Sequence, residues 1–404
     1  MDLKTLLSKV ELSDFVALDF ETTGVDSAKD RIIEVAAIRF IDGKPMDKFV
    51  SLVNPERVIS DLIVNITNIT NEMVKDAPIE KDIVIDLFEF IGESPIVAHN
   101  TPFDIAFLKE LAKRHNLDFE QPELYDTLPL ARTFFYYLPA FNLGVVSEFF
   151  GLSAEGAHRA EKDTENCGTI FLSMIEEAAS YPLHVISKLL AVMKNVNLSN
   201  KTLFVNIANE LTKTGDLKNG LIKSKFAKQS KSNVYLHKGT KKIQNVIAND
   251  VFGKDGLISS KLDGYEERSQ QIEYSNFVDD ILNGDEKIGV VEAGTGLGKS
   301  FAYLFPALKK SEKFVENGPV VISCHTKNLQ DQLFYKDLPI ITETLDIPLK
   351  AVKLKGRNNY ICLTRLDWLI SDSSKNLSPN EIEKLLPIIV WLEWTKTGDL
   401  SECN

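Results

Sequence analysis

Residues 14–20, Asp-Phe-Val-Ala-Leu-Asp-Phe, are an apolar run that stops at an acidic, turn-forming segment, Asp19-Phe20-Glu21-Thr22-Thr23-Gly24. The run is short and rich in β-formers, so it reads as a strand with two carboxylates at its end. Two more strand-like segments follow, Arg31 to Phe40 and Lys48 to Val53, joined by a turn at Asp42-Gly43. The pattern then changes. Ile79 to Ile91 is an amphipathic helix, Pro95 to Ala98 a short apolar strand, and Asp104 to Arg114 carries Ile105, Leu108 and Leu111 at helical spacing. Asn142 to Phe150 and Lys162 to Ala178 are further helices. Three early strands, then helices with one strand among them, predict an α/β domain on a mixed sheet.

The remaining length calls for more than this domain: 404 residues predict two to three. Charge marks the divisions. Residues 1–180 carry a net −16, residues 181–260 a net +9 and residues 261–404 a net −5. The expected units are therefore an acidic lobe (1–180), a basic linker or small subdomain (181–260) and a mildly acidic last unit (261–404). No apolar run approaches the roughly 18 residues of a membrane span, and no basic-then-apolar leader opens the chain. Four scattered cysteines (Cys167, Cys324, Cys362, Cys403) without a CxxC pair fit a reducing, cytoplasmic setting.

The acidic lobe holds the chemistry. Asp19 and Glu21 are two apart on a strand, so both point to one face. Asp104 opens a helix, where an acid also suits the first turn. His158 and Asp163 are five apart; on one helix they would diverge by about 140°. If both serve one site, His158 must lie in a loop ahead of the helix that carries Asp163. Singly, each piece has an ordinary structural reading as a solvated strand end, a helix cap or a lone histidine. Together they supply acidic ligands for a pair of hard cations and a base for an attacking water, which is what two-metal phosphodiester hydrolysis requires.

In that order and local context, Asp19-x-Glu21-Thr-Thr-Gly, Asn100-x-x-x-Asp104 and His158-x-Ala160-x-x-Asp163 resemble the three motifs of the DEDDh exonucleases, the DnaQ-like proofreading family. The resemblance covers roughly residues 10–175. It implies a ribonuclease H-like fold and removal of nucleotides from the 3′ end. Carried over, Asp19, Glu21, Asp104 and Asp163 would hold two Mg²⁺ or Mn²⁺ ions and His158 would be the general base. Thr22, Thr23 and Phe103 would line the pocket for the terminal nucleotide.

A second motif lies late in the chain. Glu292-Ala293-Gly294-Thr295-Gly296-Leu297-Gly298-Lys299-Ser300 sits between an expected strand, Ile288 to Val291, and an expected helix, Ser300 to Lys310; another strand is expected at Val320 to Ser323. This is the setting of a phosphate-binding loop. Its glycines let backbone N–H groups approach phosphates, Lys299 would reach the β- and γ-phosphates, and Ser300 would ligate Mg²⁺. The flanks raise the specificity: Arg268-Ser269-Gln270-Gln271 before the loop, with Gln271 spaced to read adenine, and Lys355-Gly356-Arg357-x-x-Tyr360-x-Cys362 after it. The set resembles the front of a DinG/XPD-type helicase motor, a partial RecA-like lobe. An exonuclease domain ahead of such a motor is similar to the longer DinG-type proteins of Gram-positive bacteria. The motor's Asp-Glu-x-His box and second lobe do not occur in the 404 residues, so the chain reads as truncated, expected to bind ATP but not to unwind by itself. Relatives with a 4Fe–4S cluster place a cysteine at the position of Cys362 and three more downstream; here only Cys403 follows, and no cluster is expected.

Between the two units, Lys213 to Lys242 holds nine lysines, with Phe226 and Tyr235 interleaved. A solvated linker is one reading; contact with a nucleic-acid backbone and bases is the other. The expected activity is metal-dependent 3′→5′ hydrolysis of single-stranded DNA, with RNA as an alternative substrate and ATP as a regulator. The competing reading is an ATP-dependent helicase or nucleotide-gated DNA-binding module.

Overall fold

The computed structural model describes residues 1–152, 159–215, 218–226, 232–262, 264–286, 288–313 and 318–403; the side chains of residues 372–376 lie outside that description. The chain forms two compact units, one of residues 1–230 with 361–404 and one of residues 231–360. This division differs from the one read from charge. The basic stretch is shared between the units, and the last forty or so residues return to the first.

In the first unit, helix α1 (Leu3–Lys9) precedes the strands β1 (Asp14–Thr22), β2 (Ile32–Ile41), β3 (Lys44–Leu52), β4 (Ile96–Ala98) and β5 (Leu124–Asp126). The sheet order is β3-β2-β1-β4-β5. The first three strands are antiparallel, and β4 and β5 run parallel to β1. The helices are α2 (Asp61–Thr67), α3 (Asn71–Val74), α4 (Glu80–Ile91), α5 (Thr101–Arg114), α6 (Thr127–Phe134), α7 (Leu143–Phe149), α8 (Ala160–Ala179), α9 (Leu183–Val192) and α10 (Lys201–Thr214). This is the mixed α/β, ribonuclease H-like arrangement anticipated from the motifs.

Alternation along β1 sorts its side chains between two layers. Val16, Leu18 and Phe20 join a core with Val84 and Leu87 of α4 and Phe107 and Leu108 of α5. Phe15 and Ala17 face the other way, into the core under α8. There the Phe15 ring stacks on Phe40 with centroids 5.0 Å apart and meets Phe171 edge-on at 5.3 Å. Gly168 of α8 lies over Phe40, and a Cβ at position 168 would fall 2.3 Å from that ring. The helix thus approaches the sheet more closely than any residue with a side chain would permit. Asp19 and Glu21 continue the Phe15–Ala17 face, on the side of the sheet covered by α8.

The same core extends through α9 and α10 to the helix Pro379–Trp391, whose Ile382, Leu386, Ile389, Val390 and Trp391 are buried in it. Phe226 packs against Phe135, Phe149 and Phe150, with ring centroids 5.0 to 5.7 Å apart. Lys225 pairs with Glu176 at 2.7 Å. The aromatic read as a base-stacking candidate is therefore an anchor, and a lysine beside it is neutralised within the unit.

The second unit contains β6 (Val234–Lys238) paired antiparallel with β7 (Pro348–Val352), and helices α11 (Ala248–Phe252), α12 (Ser269–Asn283) and α13 (Lys299–Ser311). Phe252, Phe305, Leu308, Ile341 and Leu345 form its core. Tyr235 is half-buried, with its hydroxyl 2.7 Å from that of Thr342. The strands expected at 288–291 and 320–323 do not form, and Ile288, Val290 and Val321 are each more than 80% exposed. A parallel strand is held by neighbours on its edges and helices on its faces. Among the described residues no strand pairs with either segment. Helices form at Ser269–Asn283 and Lys299–Ser311, but among the described residues the expected sheet beside them does not.

Candidate active site

Asp19 and Glu21 emerge side by side from β1, where the strand runs beyond its partner β4. The amides of Val16, Leu18 and Phe20 all face the β4 edge. That of Val16 donates to Pro95 O at 2.8 Å, but β4 ends at Ala98, so the Phe20 amide donates instead to Asp104 Oδ1, at 3.1 Å. Asp104 is only 2% exposed. One hydrogen bond from the part of β1 that β4 does not pair thus brings the α5 carboxylate up to the β1 pair. The strand is also irregular here: Glu21 lies opposite Glu34, but Thr22 lies opposite Ile32, a bulge that re-aims the strand at the site.

Asp163 arrives from the first turn of α8. Asp19, Glu21 and Asp163 are near enough to perturb one another strongly. Burial, then the charges of Asp163 and Glu34, pushes the Asp19 carboxyl up to about 7. Burial, then Asp19, Asp163 and Glu34, pushes Glu21 up to about 8. Asp104 is raised well above the usual range by burial and by Asp19. These are carboxylates held together against their own repulsion. Asp19 and Glu21 keep partial solvent access, and among the described residues neither has a hydrogen-bond or ion-pair partner. All-oxygen acidic donors without counter-charge are what a hard divalent cation takes up. The fit is one of donor chemistry: among the described residues no three such side chains are already closed around a single point.

His158 lies outside the described residues. Arg159, which follows it, forms a forked ion pair with the buried Glu34 of β2: Nη2 donates to Oε1 at 2.7 Å and Nε at 3.1 Å, while the Ala160 amide donates to Glu34 Oε2 at 3.0 Å. Asp126, at the end of β5, accepts from the amides of Asn100 and Thr101 at 2.9 and 3.1 Å and so fixes the start of α5, four residues before Asp104. The sequence reading passed over Glu34 and Asp126. Glu34 had a signal: an acid inside Ile-Ile-Glu-Val-Ala-Ala-Ile cannot be buried without a partner.

Of the residues expected around the terminal nucleotide, Thr22 and Thr23 make hydrogen bonds within the loop after β1 and Phe103 lies on α5. Thr22 Oγ1 donates to Gly24 O at 2.6 Å, and Thr23 Oγ1 donates to Asp30 and accepts from the Arg31 amide. Phe103 is part-exposed against Phe107, with centroids 5.0 Å apart. His99 bonds Thr127 Oγ1 and Phe141 O through its two ring nitrogens, and burial lowers its pKa, so it is a neutral structural residue.

The second unit places Ala293, Gly294, Thr295, Gly296, Leu297 and Gly298 in a loop that opens α13 at Lys299 and Ser300. Gly296 and Gly298 have φ of 82° and 80°, conformations glycine adopts freely. Lys299 Nζ donates to the carbonyls of Ala293 and Gly294, both at 2.9 Å, so its ammonium is folded back over the loop. Gln271 is buried, donating to Gly298 O at 3.0 Å and accepting from the Tyr265 hydroxyl.

Comparison with known proteins agrees with the first unit. The exonuclease family profile matches residues 16–171. The 3′-5′ exonuclease DinG of Bacillus subtilis (strain 168) is 29% identical over 397 residues, 96% of this chain and 42% of that protein. The 3′-5′ exonuclease DinG of Staphylococcus saprophyticus is 28% identical over 393 residues, again 96% of this chain and 42% of that protein. The chain thus spans about two-fifths of the length of the curated relatives it matches. Among solved structures, exonuclease X in complex with 5′ overhanging duplex DNA is 26% identical, with a TM-score of 0.32, covering 40% of this chain and 90% of that one. Residues 16–171 are an exonuclease-family domain, in a chain homologous along nearly its whole length to the 3′-5′ exonuclease DinG proteins of Bacillus and Staphylococcus.

Proposed function

We propose that this chain removes nucleotides from the 3′ end of single-stranded nucleic acid, DNA in the first instance, in a divalent-cation-dependent hydrolysis. The observation that carries the reading is the crowding of Asp19, Glu21 and Asp104 with Asp163 at the end of β1, where burial and neighbouring carboxylates push the first three well above the usual carboxylate range. When bound by these four residues, Mg²⁺ or Mn²⁺ would activate the attacking water and offset charge on the departing 3′ oxygen. The chain's own part is positional. The Phe20 amide holds Asp104 in place, the bulge at Glu21 aims the β1 pair, and the imidazole of His158 takes the proton from the water. Digestion of 3′- and 5′-labelled oligonucleotides with Mg²⁺ or Mn²⁺, without ATP, tests this. Stepwise loss from the 3′ end, abolished in Asp19→Ala and Asp104→Ala, is expected; cleavage that survives both substitutions defeats the assignment.

The loop 293–300 we assign to ATP with Mg²⁺, in a regulatory role. Lys299 already sits over the loop, where its ammonium would exchange two carbonyl contacts for phosphate oxygens. Calorimetry with ATP against the wild type and Lys299→Ala tests it, and equal heats in the two proteins would refute it.

A further inference from the structure

We propose that Glu34 and Arg159 form a positioning clamp for the third nuclease motif, so that the two act as one unit in catalysis without touching substrate or metal. The proposal rests on the exonuclease reading for its meaning but on independent contacts for its evidence. Glu34 is 1% exposed in the middle of an apolar strand. Both of its oxygens are used. Oε1 receives the Arg159 guanidinium and Oε2 the Ala160 amide, the first N–H of α8. A carboxylate at that position satisfies an otherwise partnerless helix-end donor and complements the positive end of the helix. The planar guanidinium fork adds direction: it fixes the backbone at Arg159 relative to β2.

What this anchors is the site. Asp163 lies one turn into α8, so the place where α8 begins sets where its carboxylate stands. His158 precedes Arg159 in the chain, so the clamp holds the residue that directly follows the proposed general base. Glu34 also stands directly across from Glu21 in the β1–β2 register. Two members of the cluster are therefore referenced to one buried carboxylate: Glu21 through the ladder and Asp163 through the helix start. Arg159 has a further effect. A fifth carboxylate beside four others would worsen their repulsion, and the guanidinium offsets that charge locally.

The full chain is used for the test, as wild type, Glu34→Gln, Arg159→Ala, the double variant and Asp104→Ala as inactive control. Arg159 is 47% exposed in its side chain, so its truncation does not hollow the core and serves if a Glu34 variant fails to fold. Two readouts are needed. Metal-free amide hydrogen exchange in the first turn of α8 should quicken by at least about tenfold in each single variant. Oligonucleotide kcat should fall by about 10–100-fold with KM unchanged, the size of effect typical of groups that orient metal-site ligands. The double variant should lose no more than the worse single variant, the mark of residues that act together. Unchanged exchange and kcat in Arg159→Ala, with Asp104→Ala inactive, would overturn the clamp and leave the nuclease reading intact. A rise in KM alone would overturn it in favour of direct substrate contact by Arg159. If the wild type did not cleave at all, the nuclease reading would fail while the exchange measurement still decided whether the clamp exists.

Discussion

Asp104 allows charge and hydrogen bonding to be separated at one position. Its Oδ1 accepts from the buried Phe20 amide, and burial, then Asp19, pushes its carboxyl well above the usual range. Asp104→Asn keeps an acceptor oxygen for that amide and removes an ionisable group that was already costly to charge. The metal-free unit should therefore unfold within about 1 kcal/mol of the wild type. Asp104→Ala strands the Phe20 amide and should cost about 1–3 kcal/mol. With Mg²⁺ at a hundred times its dissociation constant, the wild type should gain about 2.7 kcal/mol, and both variants much less. Cleavage should fall in both by roughly a thousandfold or more, since a metal supplies several kcal/mol of charge stabilisation. The chain offers a clean probe. All three tryptophans, Trp368, Trp391 and Trp394, belong to the first unit, so tryptophan fluorescence in urea follows that unit alone. Equal destabilisation of Asn and Ala variants without metal would refute the hydrogen-bond argument. Full Mg²⁺ stabilisation or cleavage in Asp104→Asn would remove Asp104 from the ligand set.

Three further outcomes follow from the structure. Because Asp19 and Glu21 titrate at about 7 and 8 when folded, above their ordinary values, the unfolded chain sheds these protons first; metal-free stability falls as pH rises from about 4 to 8. Cations bind the ionised form, so Mg²⁺ should raise the melting temperature more at pH 8 than at about pH 5.5, and an equal or reversed gain would contradict this. Gly168→Ala should cost about 1–3 kcal/mol by overpacking against Phe40 and weaken Mg²⁺ binding as α8 is pushed off the sheet; an unchanged urea midpoint would show that the contact relaxes freely. Trp391→Ala should destabilise the first unit by about 3–5 kcal/mol, read by circular dichroism against loss of cleavage on heating; no change would detach the helix Pro379–Trp391 from that unit.

Local pattern reveals much of the first unit. β1 to β3, α4, α5 and α8 lie within a few residues of where apolar spacing puts them, because each is long enough to show its period and buries one face. β5 has three residues, too few to show any period, yet it supplies Asp126. The expected strands beside Lys299 carry the right residues, but a central parallel strand exists only through its neighbours, and their local sequence does not include those. Phe226 illustrates the opposite error. An aromatic among lysines fits a nucleic-acid surface, and only the placement of Phe135, Phe149 and Phe150 reveals it as core. In the site, the spacing of Asp19, Glu21, Asp104 and Asp163 was legible, whereas the groups that hold them, Glu34, Asp126 and the Phe20 amide, act across the sheet at long sequence distance.

The return of residues 361–404 to the first unit changes what can be cut away. The first unit is not a continuous stretch of sequence: residues 231–360 are an insertion, joined to it at both ends. A chain ended near residue 180 or 230, as a linear reading of the motifs invites, keeps every side chain of the candidate site but uncovers the apolar bed of Ile382, Leu386, Ile389 and Trp391. Such a fragment should aggregate, whereas one that bridges residues 230 and 361 with a short flexible connection should stay folded. A protease that nicks the chain once within the insertion releases nothing, since both halves remain held by the same core.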